Sequence, residues 1–234
     1  MIIDKKNINR EKYETQEALD KYSTYILYPI EKYLIDKYFA QNGRVLDLGC
    51  GAGRTTVKLF ELGFDCKGID LSETLITAAK KRFPHIHFEQ GSYCHLSEKT
   101  TYDIVLISHN GLDYAYPFLE RRKAIKEVAK VIKPGGLFIF SSHNLKAILL
   151  SPYFHKSLSR TLWKFRNIIP AFTKQETYIF DLGMYTYYGT NRTIIGQVEE
   201  EGFTLVECVG FRNSNNNFFL NYISPYNHFV FKKN

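Results

Sequence analysis

Three glycines alternate through Asp47-Leu48-Gly49-Cys50-Gly51-Ala52-Gly53, directly after the apolar pair Val45-Leu46. Glycine where a strand turns into a helix permits a tight turn and lets a ligand lie against bare backbone. The third glycine follows the second by two residues, so the Gly-x-Gly-x-x-Gly spacing of dinucleotide sites is not met. Asp47 adds a second distinction, because a carboxylate at the strand's end repels a pyrophosphate and attracts an ammonium or a sulfonium. Asp70, about 20 positions further on in Gly68-Ile69-Asp70-Leu71-Ser72, is placed to accept hydrogen bonds from both hydroxyls of a ribose.

Two more polar clusters follow apolar runs. Ser108-His109-Asn110-Gly111-Leu112-Asp113-Tyr114 comes after Asp103–Ile107, and Ser141-Ser142-His143-Asn144 after Leu137–Phe140. Two histidines and an aspartate on one rim form a base and its orienting partners: His109, Asp113 and His143. A neutral imidazole can take a proton from a hydroxyl or ammonium near neutral pH. His109, directly after its strand, is the first choice for that base.

These residues need a scaffold that gathers strand ends. Apolar spacing of three and four predicts helix over 12–40, with Ala18, Leu19, Tyr22, Ile26, Ile30, Leu34 and Tyr38 on one side. Pro29 must break or restart that run. Strands are predicted at Val45–Leu48, Cys66–Ile69, Ile86–Glu89, Asp103–Ile107 and Leu137–Phe140. Helices are predicted at Arg54–Leu62, at Ser72–Phe83 with Ser72 as N-cap, and over 118–133. Strand–helix alternation means a parallel sheet with helices on both faces, and ligands bind beyond the strands' carboxyl ends. After the helix Thr193–Glu201, the strands Phe203–Val209 and His228–Phe231 are joined by a linker without helical period, so they should run antiparallel. Between Ser142 and Asn191 the alternation fails in a segment rich in aromatic residues, which reads as an inserted cap over the site.

The chain resembles class I S-adenosylmethionine (SAM)-dependent methyltransferases. Val45 to Gly53 is similar to their first motif and Gly68 to Ser72 to the second. Leu137 to Ser142, after Pro134-Gly135-Gly136, is similar to their fifth strand. The resemblance implies an α/β Rossmann-like sheet of seven strands, parallel except a reversed last one, with helices on both faces and the cap inserted after strand 5. It implies one domain: an N-terminal helical segment (1–40), a SAM-binding core (41–142), a substrate cap (143–190), and a last helix with an antiparallel hairpin (191–234). It places Asp47, Gly49 and Gly51 at the methionine part of SAM, Asp70 at the ribose and Leu71 on the adenine. Where many members have Gly-Asp after the third strand, this chain has Gln90-Gly91-Ser92-Tyr93. The adenine amino group then falls to the Ser92 hydroxyl or the Tyr93 backbone. With Cys50 and Ser108 beside them, these residues are the candidate cofactor set, and Tyr13 and Tyr22 are candidates to cover the SAM carboxylate.

The remaining composition narrows the partners. Net charge is +7, and the segment 118–133 concentrates basic residues from Arg121 to Lys133 opposite its apolar positions, which reads as a wet helix face. Four scattered cysteines without paired spacing suit a reducing cytoplasm and suggest no metal. No apolar run reaches the roughly 18 residues of a membrane span, and no membrane partner is expected. The fourth strand lacks the Asp/Asn-Pro-Pro-aromatic ending of DNA amino-methyltransferases, and neither a Pro-Cys nucleophile nor a paired-glutamate loop is present. The favoured reaction is O- or N-methylation of a small molecule, such as a sugar or natural-product intermediate, with SAM as cofactor. Two alternatives stand beside it. An RNA methyltransferase would use Lys156, Arg160, Lys164, Arg166 and Lys174, and a non-catalytic SAM-binding protein would lack a closed acceptor pocket.

Overall fold

The computed structural model describes residues 8–15, 25–39, 43–98, 101–155, 157–181 and 183–234. Helices α1 (Ile8–Tyr13) and α2 (Pro29–Tyr38) precede β1 (Arg44–Leu48), α3 (Arg54–Glu61), β2 (Asp65–Asp70), α4 (Glu73–Arg82) and β3 (His87–Gln90). Next come β4 (Tyr102–Ile107), α5 (Phe118–Val131), β5 (Ile132–Asn144), α6 (Ala147–Leu150) and α7 (Leu158–Thr173). A hairpin of β6 (Glu176–Asp181) and β7 (Met184–Gly189), then α8 (Asn191–Glu199), β8 (Phe203–Gly210) and β9 (Tyr226–Lys233), complete the chain.

The central strands are apolar at consecutive positions because both of their faces are covered. Leu46, Leu48, Val105, Ile107, Phe138, Phe140, Phe229 and Phe231 pack with α5 and α8. Val45, Ile104, Leu106, Ile139 and Val230 pack with α2 on the other face. Parallel pairing runs β3-β2-β1-β4-β5, and β9 lies antiparallel between β5 and β8. Strand order therefore reverses between β1 and β4, and a crevice opens at their carboxyl ends. The antiparallel pairing predicted for the last two strands is present.

The structure departs from the sequence reading in four places. The segment after strand 5 holds two strands, β6 and β7, which bring the sheet to nine strands among the described residues where seven were expected. β7 pairs parallel with the end of β5, through His143 with Tyr188 and Asn144 with Gly189, so the hairpin stands on the sheet's carboxyl edge. β5 itself runs from Ile132 to Asn144, longer than the predicted Leu137–Phe140, because β4 pairs Ile132 at its start and β7 and β9 pair its extension from Ser141 to Asn144. Arg121 does not lie on a wet face. At 1% exposure it shares the buried side of α5 with Ala124, Ile125 and Val128, where Asp113 neutralises it. The predicted helical run over 12–40 stops early at its start, where α1 ends at Tyr13, while Pro29 restarts it as α2, as expected, at a position where its missing N–H costs nothing. Ala18, Leu19 and Tyr22 lie outside the described residues.

Gly53 joins the turn after β1 to α3 at φ 91°, and a Cβ there would fall 2.7 Å from Cζ of Phe88. Left-handed strain and overpacking both act on a side chain at this point. Gly53→Ala should lower the unfolding free energy by about 1–3 kcal/mol in urea titration. An unchanged midpoint would show that the turn is not so constrained.

Candidate functional site

The glycine turn closes the end of β1 with Gly49 at φ 70° and Gly51 at φ 57°. The Gly49 and Cys50 N–H groups donate to the Ile69 carbonyl at 2.7 and 3.2 Å, which clamps the turn to β2. Asp70 ends β2 with Oδ2 accepting from Gly51 N–H at 2.8 Å and Oδ1 from Ser72 N–H at 2.9 Å. Burial raises the Asp70 pKa, opposed by those two N–H donors. Ser72 also caps α4 as predicted, accepting from Leu75 N–H. Glu14, just past α1, accepts from Ser72 Oγ, Glu73 N–H and Thr74 N–H and so ties the N-terminal segment to the same helix end. Burial pulls the Glu14 pKa upward, but the bonds from Thr74, Glu73 and Ser72 outweigh it and hold the carboxyl below its usual range.

A cavity of about 230 Å³ lies over this turn. Gly49, Cys50, Gly51, Asp70, Leu71, Tyr93 and Ser108 line it, and Tyr13 covers it from α1. Tyr93 donates to the Gly111 carbonyl at 3.0 Å, which fixes its ring against Gly49. Burial raises the Cys50 pKa, so its thiol stays neutral and no thiolate nucleophile is present there. Two residues from the sequence set lie elsewhere. Ser92 is outside the lining, and its hydroxyl accepts from Cys94 N–H at 3.2 Å. Asp47 lies beneath the turn with no exposure; Oδ2 accepts from Thr56 Oγ1 at 2.7 Å, and Oδ1 has no partner among the described residues. Burial pushes the Asp47 carboxyl up to about 7, against the Thr56 bond and the nearby Arg54 charge.

Sequence reasoning missed Arg54 and Glu31. Arg54 opens α3 and makes paired bonds of 2.7 and 2.6 Å to Glu31 on α2, with its guanidinium 4.8 Å from the Tyr28 ring centroid. The pair fastens α2 to the glycine turn's helix. One signal was available: a cation in the first turn of a helix opposes the macrodipole and needs a compensating anion.

A second cavity, of about 470 Å³, opens beside the first and shares Tyr28, His109 and Tyr114 with it. Its walls include Asn110 and His143 from the strand ends. Tyr153, Phe154, Arg160, Asp181, Met184 and Tyr188 line it from the segment 143–190. His109 and Asn110 adopt left-handed backbone at φ 52° and 59°, uncommon for residues with side chains. That turn swings the His109 ring onto Tyr28, stacked at 5.7 Å and 17°. His228 lies in the wall of the second cavity, where burial pulls its pKa down to about 4 and keeps it neutral.

Asp113 has no exposure and cannot meet a ligand itself. Its Oδ1 accepts from Arg121 at 2.8 Å and Ser142 Oγ at 2.6 Å. Its Oδ2 accepts from His143 N–H at 2.7 Å and faces His143 Nδ1 at 2.8 Å. An ionised carboxylate only accepts, so Nδ1 must carry the proton, and the Nε2 of a neutral imidazole is left as an acceptor. Asn110 Nδ2 lies 3.4 Å from that Nε2, and both residues line the second cavity. The structure thus joins two of the three predicted residues, Asp113 and His143, and sets His109 at the junction of the cavities. The basic residues assigned to an RNA surface are dispersed: Lys164 is buried, Arg160 pairs with Asp181, and Lys156 lies outside the described residues. Among the described residues no cluster of three or more His, Cys, Asp or Glu could hold a metal ion.

Residues 45–136 match a protein-family model described as a methyltransferase domain. YqeM of Bacillus subtilis is 31% identical over 114 residues, covering 47% of this chain and 46% of that protein. The ubiquinone/menaquinone biosynthesis C-methyltransferase UbiE of Campylobacter jejuni is 29% identical over 110 residues, 44% of this chain and 45% of its own. The chain spans about half the length of the relatives it matches. Among solved structures, a SAM-dependent methyltransferase from Methanosarcina mazei superposes with a TM-score of 0.66 at 19% identity, covering 88% of this chain and 98% of that one.

The buried Asp47 sets a pH dependence. Its folded pKa, about 7, lies above the 3.8 of the free side chain, so its contribution to stability is complete below about pH 4 and lost as pH rises through 7. Asp47→Asn removes that titration. The stability of the variant relative to the parent should therefore rise by up to about 4 kcal/mol between pH 4 and pH 8. Parallel pH curves in chemical denaturation would contradict it.

Proposed function

We propose that the chain is a class I SAM-dependent methyltransferase, a reading supported by the methyltransferase-domain match of its core and by its fold, and that it methylates a hydroxyl or amine of a small molecule. The observation that carries this reading is the meeting of the two cavities at Tyr28, His109 and Tyr114. One cavity lies over the glycine turn, and His143 is in the wall of the other.

The residues of the first cavity fit SAM. The backbone at Gly49 and Gly51 is bare, and each Asp70 oxygen keeps a lone pair for a ribose hydroxyl beyond its backbone bond. Leu71, 40% exposed, offers an apolar face to the adenine. The Asp47 oxygen that has no partner among the described residues supplies negative potential beneath the turn, where a cationic ligand would sit, and a cation there favours its ionised form. When bound, SAM supplies a methyl group on a sulfonium, an electrophile that needs no further activation.

The protein's remaining task is to align the acceptor, exclude water and remove a proton. The segment 143–190 serves as the roof of the acceptor cavity, offering aromatic walls at Phe154 and Tyr188 against which a ring can lie. His143 Nε2 accepts the proton from the acceptor, and Asp113 fixes the ring's tautomer and steadies the imidazolium that forms. His109, first in line from the sequence, instead shapes the opening through which the methyl passes, stacked on Tyr28.

Two variants separate cofactor binding from chemistry. Asp70→Ala should weaken SAM binding by roughly 10-fold in calorimetry, because the ribose hydroxyls lose their acceptor. His143→Ala should bind SAM as the parent does while methyl transfer from labelled SAM into a panel of phenolic, sugar and amine acceptors falls on the order of 100-fold. SAM affinity unchanged in Asp70→Ala, or transfer unchanged in His143→Ala, would overturn the assignment.

A further inference from the structure

Between Asn144 and Glu176 the chain carries Lys146, Lys156, Arg160, Lys164, Arg166 and Lys174 and not one Asp or Glu. Helix α7 occupies the middle of this stretch and is built inside out. Its inward face carries Lys164, Asn167 and Ala171, all buried, with Trp163 partly buried beside them. Its outward face carries Leu158, Leu162, Phe165, Ile169 and Phe172, between 61% and 77% exposed. Those five residues recur at intervals of four, three, four and three, one continuous apolar stripe along the helix. Leu150, on α6 beside α7, is exposed as well. An isolated exposed leucine is ordinary, but an unbroken stripe of this length on a helix whose opposite face buries Lys164 and Asn167 marks a surface meant to be covered.

We propose that α7 lies along an anionic lipid surface, with its apolar stripe in the headgroup–acyl boundary and the exposed Arg166 and Lys174 against the lipid phosphates. Charge decides between the candidate occupants. A second copy would bring two acid-free basic segments together, whereas an anionic bilayer complements them. The stripe combines leucine and isoleucine with phenylalanine, an apolar depth suited to acyl chains. RNA would need stacked aromatics set among exposed cations, and of this helix's three basic residues Lys164 is buried and Arg160 is tied to Asp181. At 16 residues α7 is too short to span a bilayer, and it lies on the surface. The neighbouring Tyr153 and Phe154, with Arg160 of α7 itself, line the second cavity, so docking would set that cavity beside the lipid interface.

The test is co-sedimentation of the full chain with vesicles of phosphatidylcholine alone and of equimolar phosphatidylcholine and phosphatidylglycerol. The parent should bind the anionic vesicles at least about 10-fold more tightly than the neutral ones. The triple variant Leu162→Glu, Phe165→Glu, Ile169→Glu should lose that binding by a similar factor, with SAM affinity and circular dichroism unchanged. If the triple variant does not fold, the pair Arg166→Glu, Lys174→Glu supplies the same reading from the charge side. Failure of the parent to sediment with anionic vesicles, or sedimentation unaffected by whichever variant folds, would overturn the proposal. So would a dimer in light scattering, or retention of a single-stranded RNA, that these same substitutions abolish while vesicle binding persists.

Discussion

Everything around the second cavity depends on how the Asp113 carboxylate is satisfied. A charge with no exposure is costly unless each lone pair is met, and here four donors meet it: Arg121, Ser142 Oγ and both the backbone N–H and the ring of His143. The bonds tie the turn after β4 to α5 and to the end of β5. Arg121 extends the network, donating from Nε to Gln197 on α8 at 3.0 Å and lying 3.8 Å from the Tyr187 ring centroid on β7. Gln197 in turn donates to Tyr187 and to Glu176 on β6. The hairpin that lengthens the sheet and the histidine that faces the cavity are thus held by one network, and neither can shift without exposing a buried charge.

Much of this was readable along the chain, and what was readable was local. The glycine turn, Asp70 at the end of β2, the Ser72 cap and the alternation of strands with helices are each signalled within a few residues of themselves. The reversed final strand was legible because the Asn-rich linker before it has no helical period. The hairpin β6–β7 was not, since aromatic residues such as Tyr185, Tyr187 and Tyr188 stand on both faces and blur the alternation by which a strand is recognised. Pairs joined across long separations were also hidden. Arg121 looked like one more cation of a wet helix face, and its burial makes sense only when Asp113 is beside it. Likewise, position after a strand does not reveal that the buried Asp113 carboxylate bonds the ring of His143.

The inside-out polarity of α7 shows a related limit. A search for membrane contact that looks only for long apolar spans passes over a short helix whose apolar residues are regularly spaced. Among the described residues no helix is long and apolar enough to cross a membrane. The stripe from Leu158 to Phe172 is recognisable only once its exposure is known, since the same spacing on a core helix would simply be its buried face.

The central claim is that Asp113 fixes His143 with its proton on Nδ1 and turns an unprotonated Nε2 toward the acceptor cavity. Nitrogen-15 spectra of the histidine rings, recorded at alkaline pH where imidazoles are neutral, read that tautomer without any knowledge of the acceptor. The account predicts that the His143 signals report a protonated Nδ1 and a bare Nε2, and that Asp113→Asn abolishes this preference. A His143 carrying its proton on Nε2 in the parent, or a tautomer unchanged in Asp113→Asn, would contradict it.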